Sequence, residues 1–448
     1  MAERLVVIGG DAGGMTAATN ARRLCADLEI VAFEKGTRVS FSACGIPYLV
    51  SGEVEPLDAL VSRTQREFRD ADRIDVRIQH EVLAIDADRR QVEVRDHGHG
   101  RTFRIGFDHL VIGTGARPTR PDLPGIDSEA VLGVQNLDDA AALLAYAEQS
   151  RCQQVVVVGG GYIGLEMAEA FVMWGAKVTL VDASPHVMRT LDPDMAALVA
   201  AALDRHSIEV RSGLAITGFE PGAVHTADGP IPADLVVLGM GVTPNSQLAE
   251  AAGLELGQRG AIRVDRRQET SVEGIWAAGD CAESFHLVSG RHVHVALGTV
   301  ANRQGRVAGI NIGGGYATFP GVVGSAMTKV CSTEVARTGL TETEAARDGF
   351  RAVAGRIEST TRAGYYPGAA PIAVKVVAEK GTGRLLGGQI VGGEGSAKRI
   401  DVLATALTAG MTVDEMINLD LAYAPPYSPV WDPVVTAARV AARAVDAR

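Results

Sequence analysis

Cysteine is scarce in this chain: five in 448 residues, at positions 25, 44, 152, 281 and 331. An odd, scattered set without a Cys-x-x-Cys pair excludes a disulfide framework and argues against a zinc site; it fits a reducing cytoplasm. Positive charge is in deficit, since 43 Lys and Arg face 54 Asp and Glu, a net charge of −11. So acidic a chain is a poor general binder of nucleic acid, whose phosphates need a basic surface. Anionic ligands must instead be held by local donors and helix N-termini. No run approaches the roughly 18 apolar residues of a membrane span. The chain meets an acid at Glu3 and passes at once into Leu5-Val-Val-Ile8, which reads as a buried strand and not as a secretory signal.

What is present is ordinary for a globular protein: 46% hydrophobic and 22% charged residues, over a length that allows two to four domains. Glycine is the exception, with 52 residues and no collagen-like period, which points to turns and close backbone approaches.

The glycines sit in a repeat. Leu5-Val-Val-Ile-Gly-Gly-Asp-Ala-Gly-Gly14 is an apolar run closed by a glycine turn, followed by a helical pattern (15–24) and a strand (29–33) ending at Glu34. Val155-Val-Val-Val-Gly-Gly-Gly-Tyr-Ile-Gly164 does the same, with a helix predicted over 165–174 and a strand over 177–181 ending at Asp182. Each is a β-α-β unit with an acidic end, the pattern of a dinucleotide site. The first glycine makes the tight turn, the second lets the backbone approach a pyrophosphate, and the third lets helix pack on strand. Gly159, Gly161 and Gly164 match fully; in the first copy Asp11 stands where the second glycine belongs. A carboxylate at Asp182 favours a free ribose 2′-hydroxyl over a 2′-phosphate, although His186 and Arg189 lie just beyond. A closing strand repeats as well: Asp108-His-Leu-Val-Ile-Gly-Thr-Gly-Ala-Arg-Pro118 and Asp234-Leu-Val-Val-Leu-Gly-Met-Gly-Val-Thr-Pro244. The simplest reading is two nucleotide-binding domains, the second inserted in the first. Trp276-Ala-Ala-Gly-Asp280 follows, a strand entering a Gly-Asp turn, with a helix predicted over about 295–310.

In this order the motifs resemble the pyridine nucleotide-disulfide oxidoreductases along essentially the whole chain. The resemblance implies an α/β fold with two Rossmann-like dinucleotide-binding domains, the second inserted in the first, plus an α+β C-terminal dimerisation domain. The expected limits are 1–118 and 245–319 for an FAD-binding domain, 150–244 for an NAD(P)H-binding domain and 320–448 for the interface domain. It also implies FAD on Gly9, Ala12, Gly13, Glu34, Lys35, Gly115, Ala116, Gly279, Asp280, Leu297 and Gly298. NADH or NADPH would lie on Gly159, Gly161, Tyr162, Ile163, Gly164, Glu166, Asp182 and Gly241, with Tyr162 resembling an aromatic gate over the flavin. In the interface domain, strands are expected over 372–378 and 385–391, and helices over 396–409 and 413–419.

Cysteine chemistry separates the subfamilies. Cys44 stands alone in Val39-Ser-Phe-Ser-Ala-Cys-Gly-Ile-Pro-Tyr48, without the Cys-x4-Cys pair of glutathione-reductase-like members. Pro47 suits a first helical turn, which places Cys44 where a helix dipole favours a thiolate, the nucleophile toward a disulfide sulfur. This resembles the single-cysteine branch: coenzyme A-disulfide reductases, persulfide reductases, and NADH oxidases and peroxidases. The resemblance implies a homodimer in which Tyr427, and more loosely Tyr366, approach the partner's cysteine as proton donors or hydrogen-bond partners. It implies coenzyme A contacts at Thr16, Asn20, Arg23, Ser40 and Asn302. The leading expectation is NAD(P)H-dependent reduction of coenzyme A disulfide. The alternatives are reduction of a coenzyme A persulfide or polysulfide, and an NADH oxidase or peroxidase cycling through a sulfenic acid. A ferredoxin-linked reductase and a redox sensor are the readings of other classes.

Overall fold

The structure is a computed structural model that describes residues 3–447, so residues 1, 2 and 448 of the expected domain limits lie outside the described residues. Both glycine turns close five-stranded parallel sheets. In the first, the spatial order is Ile275–Ala277, His109–Ile112, Arg4–Ile8, Glu29–Phe33 and Asp75–Arg77. In the second it is Val131–Gly133, Leu235–Leu238, Gln154–Val158, Lys177–Asp182 and Glu209–Ser212. Four strands correspond in the two orders; the outer strand beside the closing strand follows the rest of its unit in the chain in the first sheet and precedes it in the second. Beyond their first residues, Arg4 and Gln154, the central strands are apolar and buried, as strands covered on both faces must be.

The repeat extends beyond the expected motifs. Each sheet is accompanied by a three-stranded antiparallel meander, His80–Gly106 in the first unit and Ile216–Pro232 in the second. The second unit also begins earlier than residue 150. Val131–Gly133 pairs with its sheet, and Leu137, Leu143 and Ala147 of the helix Leu137–Ser150 share its core with Val155 and Leu165. The signal was there: Asn136 and Asp139 form a capping box that opens that helix. The two units are joined by a short antiparallel ribbon, Ala116–Pro118 against Val242–Pro244.

The helices lie near their expected places, at Ala12–Leu24, Tyr162–Met173 and Gly298–Ile312. The first and last of these pack closely because Gly305 and Gly309 face the first helix. A Cβ at either would come within 2.3 Å of the backbone oxygens of Gly13 and Ala17. The interface domain is a five-stranded antiparallel sheet in the order Ala326–Val330, Thr333–Gly339, Leu385–Gly392, Pro371–Glu379, Ala352–Thr360. Residues 397–399 form a tight turn before the helix Ile400–Ala409, so that helix is shorter than expected. The amphipathic helix Pro433–Asp446 covers the sheet and crosses it at Gly355, where a Cβ would meet the Ala441 amide at 2.3 Å. No helix among the described residues is long and apolar enough to cross a membrane.

Candidate active site

The two glycine turns are built alike. Gly9 and Gly159 have φ near +105°, and a Cβ on either would strike the oxygen of the closing strand, Gly113 O at 2.0 Å or Gly239 O at 2.4 Å. Only glycine fits there. The terminal acid braces each turn. Glu34 accepts from Gly10 N at 2.8 Å and Gly36 N at 2.6 Å; Asp182 accepts from Gly160 N at 2.6 Å and Ser184 N at 2.7 Å. Both following helices start at the cavity wall without a side-chain cap, at Asp11 and Gly161. Their free N–H groups and dipoles suit a pyrophosphate, and Gly161 leaves open space before it. The residues therefore fit two dinucleotides.

Both turns open on one cavity of about 2480 Å³. All the expected cofactor residues line it except Gly164. Gly164 works behind the wall: its Cα side lies so close to Gly159 O that a Cβ would sit 1.8 Å away. The Gly279-Asp280 turn is held from behind by Gln304. That side chain is fully buried, accepts from Gly279 N at 2.9 Å and donates to Glu283 O and Ser284. Burial pushes the Asp280 carboxyl up to about 6. Burial raises the Tyr162 phenol, and Thr190 is the polar group beside its buried hydroxyl.

Cys44 lies on the same cavity, in the turn Ala43–Gly45 that leads into the helix Ile46–Val50, with Pro47 in its first turn as expected. The chain enters this segment through Ser40, which is left-handed at φ 47° and donates its amide to Gly10 O at 2.8 Å. The expected thiolate bias is not what the chain itself provides. Desolvation, then the charges of Glu166, Asp280 and Asp11, push the Cys44 thiol up from its ordinary value. A helix of five residues has too small a dipole to overcome burial beside three acids.

Two neighbours of Cys44 went unnoticed in the sequence or were assigned differently. Tyr48, one helical turn on, lies on the cavity and faces Lys329 at 5.6 Å. Glu166, expected only as a cofactor contact, accepts from Thr328 Oγ1 at 2.7 Å and raises both Cys44 and Tyr48. Burial also raises Glu166 itself.

The coenzyme A residues divide. Ser40 and Asn302 line the cavity; Thr16, Asn20 and Arg23 do not. Thr16 and Asn20 belong to the helix junction, where Thr16 donates to Asn302 at 2.8 Å and Asn20 donates to Thr16 O. Arg23 is exposed. The nearby arginines are committed: Arg22 to the carbonyls of Ala26, Asp72 and Arg73, and Arg63 to Asp72 at 2.7 Å. Tyr427 and Tyr366 lie outside the cavity, and Tyr427 is 77% exposed. The structure does bring their loops together. Ala363 N donates to Pro425 O at 3.1 Å, and Arg399 donates to Thr361 O and Tyr427 O. Tyr423, Tyr427, Val430 and Trp431 are each exposed along this loop. None of the remaining cysteines lines the cavity; Cys281 is fully buried and donates to Ile112 O.

Two dinucleotide cradles opening on one cavity that also holds a lone cysteine define a flavin- and nicotinamide-dependent thiol oxidoreductase. The chain belongs to the pyridine nucleotide-disulphide oxidoreductase family, whose model matches residues 3–305; the family's dimerisation domain matches residues 325–434. It is an enzyme of the kind that uses FAD and NAD(P)H. The chain is 40% identical over 443 residues to an NAD(P)H sulfur oxidoreductase (CoA-dependent) of Pyrococcus furiosus, covering 98% of this chain and 99% of that one. It is 31% identical over 427 residues to a coenzyme A disulfide reductase of Staphylococcus aureus, covering 95% and 96%. Its structure matches that of an NAD-dependent persulfide reductase from A. fulgidus with a TM-score of 0.96 at 41% identity, over 99% of this chain and 84% of that one.

Proposed function

We propose that the protein is an NAD(P)H-dependent reductase of a sulfur–sulfur bond carried by coenzyme A, with coenzyme A disulfide as the leading substrate. The observation that carries this reading is Cys44, alone on the shared cavity with no second cysteine along its wall. One thiol without an internal partner is free to exchange with an external sulfur. Bound FAD supplies the two-electron relay from NAD(P)H to that sulfur. The Cys44 Sγ attacks one sulfur of the disulfide; the S–S bond breaks, one coenzyme A leaves as thiolate, and Cys44 is left in a mixed disulfide. Two electrons and one proton then return Cys44 as thiolate and release the second coenzyme A as thiol. Ser40 and Asn302 line the approach, while Arg23 stands outside the cavity as an exposed cation for the distal phosphate. A second copy docked on the exposed Tyr423–Trp431 loop supplies Tyr427 to protonate the leaving thiolate, with Tyr366 beside it.

Reduction of a coenzyme A persulfide is the second reading. It is favoured by the higher identity to the sulfur oxidoreductase and the persulfide reductase, about 40% against 31% for the disulfide reductase. The test is anaerobic NADH consumption with coenzyme A disulfide, coenzyme A persulfide, oxidised glutathione and, separately, oxygen or peroxide. Turnover with a coenzyme A acceptor that Cys44→Ser abolishes while FAD stays bound supports the reading. Turnover with oxygen or peroxide alone refutes it.

A further inference from the structure

Asp11 is the one departure from the dinucleotide pattern in the first glycine turn, and the structure gives it two faces. Its Oδ1 accepts the Phe41 amide at 3.1 Å, three residues before Cys44. Together with Ser40 N on Gly10 O, this bond fastens the cysteine segment to the flavin cradle. The Ala12 amide at the start of the helix is the other backbone donor beside the carboxylate, and Asp11 lines the cavity at the place where the turn approaches a pyrophosphate. The charged groups around it are acids. Glu34 lies at the end of the second strand, and Asp280 sits in the turn that closes the cradle. Cys44, on the third element, is held as a thiol. A pyrophosphate adds two negative charges to this group.

We propose that Asp11 is a positioning residue that takes up one proton when FAD binds: as the neutral acid it donates from Oδ2 toward the pyrophosphate and keeps the Phe41 amide on Oδ1, so flavin and redox cysteine are aligned through one side chain. The proton comes from solvent, the carboxylate becomes the acid, and nothing is oxidised or reduced. Burial already pushes the Asp11 carboxyl up to about 6 before any phosphate arrives, with Glu34 and Asp280 adding to the rise. Asp280 shares the burial, but Asp11 itself stands at the start of the helix Ala12–Leu24, where the pyrophosphate docks. The inference rests on flavin binding and is independent of which sulfur compound is reduced.

The test reads flavin release. Holoenzyme is diluted at pH values between 6.5 and 8.5, and free FAD is measured by its fluorescence. The expected apparent Kd rises close to tenfold per pH unit, the slope of one linked proton. Asp11→Asn removes that slope and binds FAD at pH 8.5 at least as tightly as the parent, because its side chain is neutral at every pH. A flat profile in the parent overturns the proposal; so does a slope that survives in Asp11→Asn. The alignment half is read by amide exchange at Phe41. Asp11→Asn retains an acceptor and its protection, while Asp11→Gly restores the ordinary turn and exchanges at least fivefold faster. Equal exchange in the two variants overturns that half.

Discussion

Replacing Lys375 by methionine removes the ammonium from a cage that ties the second nucleotide unit to the interface domain. Lys375 is 6% exposed on the strand Pro371–Glu379 and meets Asp192 at 3.2 Å, Asp194 at 2.8 Å and Glu342 at 2.5 Å. Asp194 keeps Arg356 at 3.5 Å, and Glu342 is 43% exposed and can turn to water. Asp192 is the loser: it is 2% exposed and is left with the Gln389 amide at 2.6 Å and the Glu342 amide at 3.1 Å. Breaking a buried pair costs about 3–5 kcal/mol, and the two surviving donors put this case near 3. Unfolding entropy of about 2.1 cal/mol/K per residue turns that into about 3 °C if all 448 residues melt together. If the interface domain melts by itself, the same loss is about 11 °C. Scanning calorimetry of the holoenzyme therefore measures both the cost and the size of the cooperative unit. The alkaline limb checks the sign. The cage raises Lys375 from 10.5 to about 12, so its contribution is complete below pH 10.5 and is lost as pH rises to 12. The variant lacks that alkaline decline. A loss under about 1 kcal/mol, or an equal loss in an Asp192→Asn background, refutes the reasoning.

Other outcomes follow from the site. Glu166→Gln removes the largest neighbouring charge that raises Cys44, so the thiol pKa falls and alkylation by iodoacetamide at pH 7.5 quickens severalfold; an unchanged rate contradicts the proximity. Asp182→Ser removes the carboxylate beside the exposed Arg189. The ratio of kcat/KM for NADPH to that for NADH should rise by about one to two orders of magnitude in steady-state assays, and no change means that Asp182 does not face the ribose. Cys44→Ser, described above, should leave the flavin spectrum in place and thiol-linked turnover absent.

Much of this molecule was legible because its chemistry needs glycine where only glycine fits. Gly9, Gly159 and Gly164 are forced by backbone oxygens 1.8–2.4 Å from an added Cβ, and such positions show directly in a sequence. The acidic strand ends were equally plain, since Glu34 and Asp182 each brace two amides. What stayed hidden was long-range. The meanders at 80–106 and 216–232 carry no motif, only alternation. Val131–Gly133 is three residues long, too short to show a period, and joins its sheet from outside the expected boundary. The resemblance implied ligand contacts at Thr16 and Asn20; in the structure the Thr16 hydroxyl bonds Asn302 on a helix 286 residues away, and the Asn20 amide bonds Thr16 O within its own helix. The Cys44 environment inverted for the same reason. Helix position is local and readable, whereas Glu166 and Asp280 reach the thiol from far along the chain.

The ribbon of Ala116–Pro118 and Val242–Pro244 has an evolutionary meaning. The chain leaves the first unit and returns to it on neighbouring strands, with Ala116 opposite Pro244 and Pro118 opposite Val242. Neighbouring strands lie about 5 Å apart, so the entry and exit of the inserted unit are separated by little more than the span of one peptide. Asn245 staples the junction, donating to Thr114 O at 3.0 Å and accepting Arg117 at 3.0 Å. A whole duplicated gene segment could have been spliced in at such a point without parting the host sheet, much as a side room is added through a single doorway. The same doorway makes the nicotinamide unit an exchangeable cassette: cut at 118 and 242, it can be traded for a homologous unit of different cofactor preference while the flavin unit keeps its own closure.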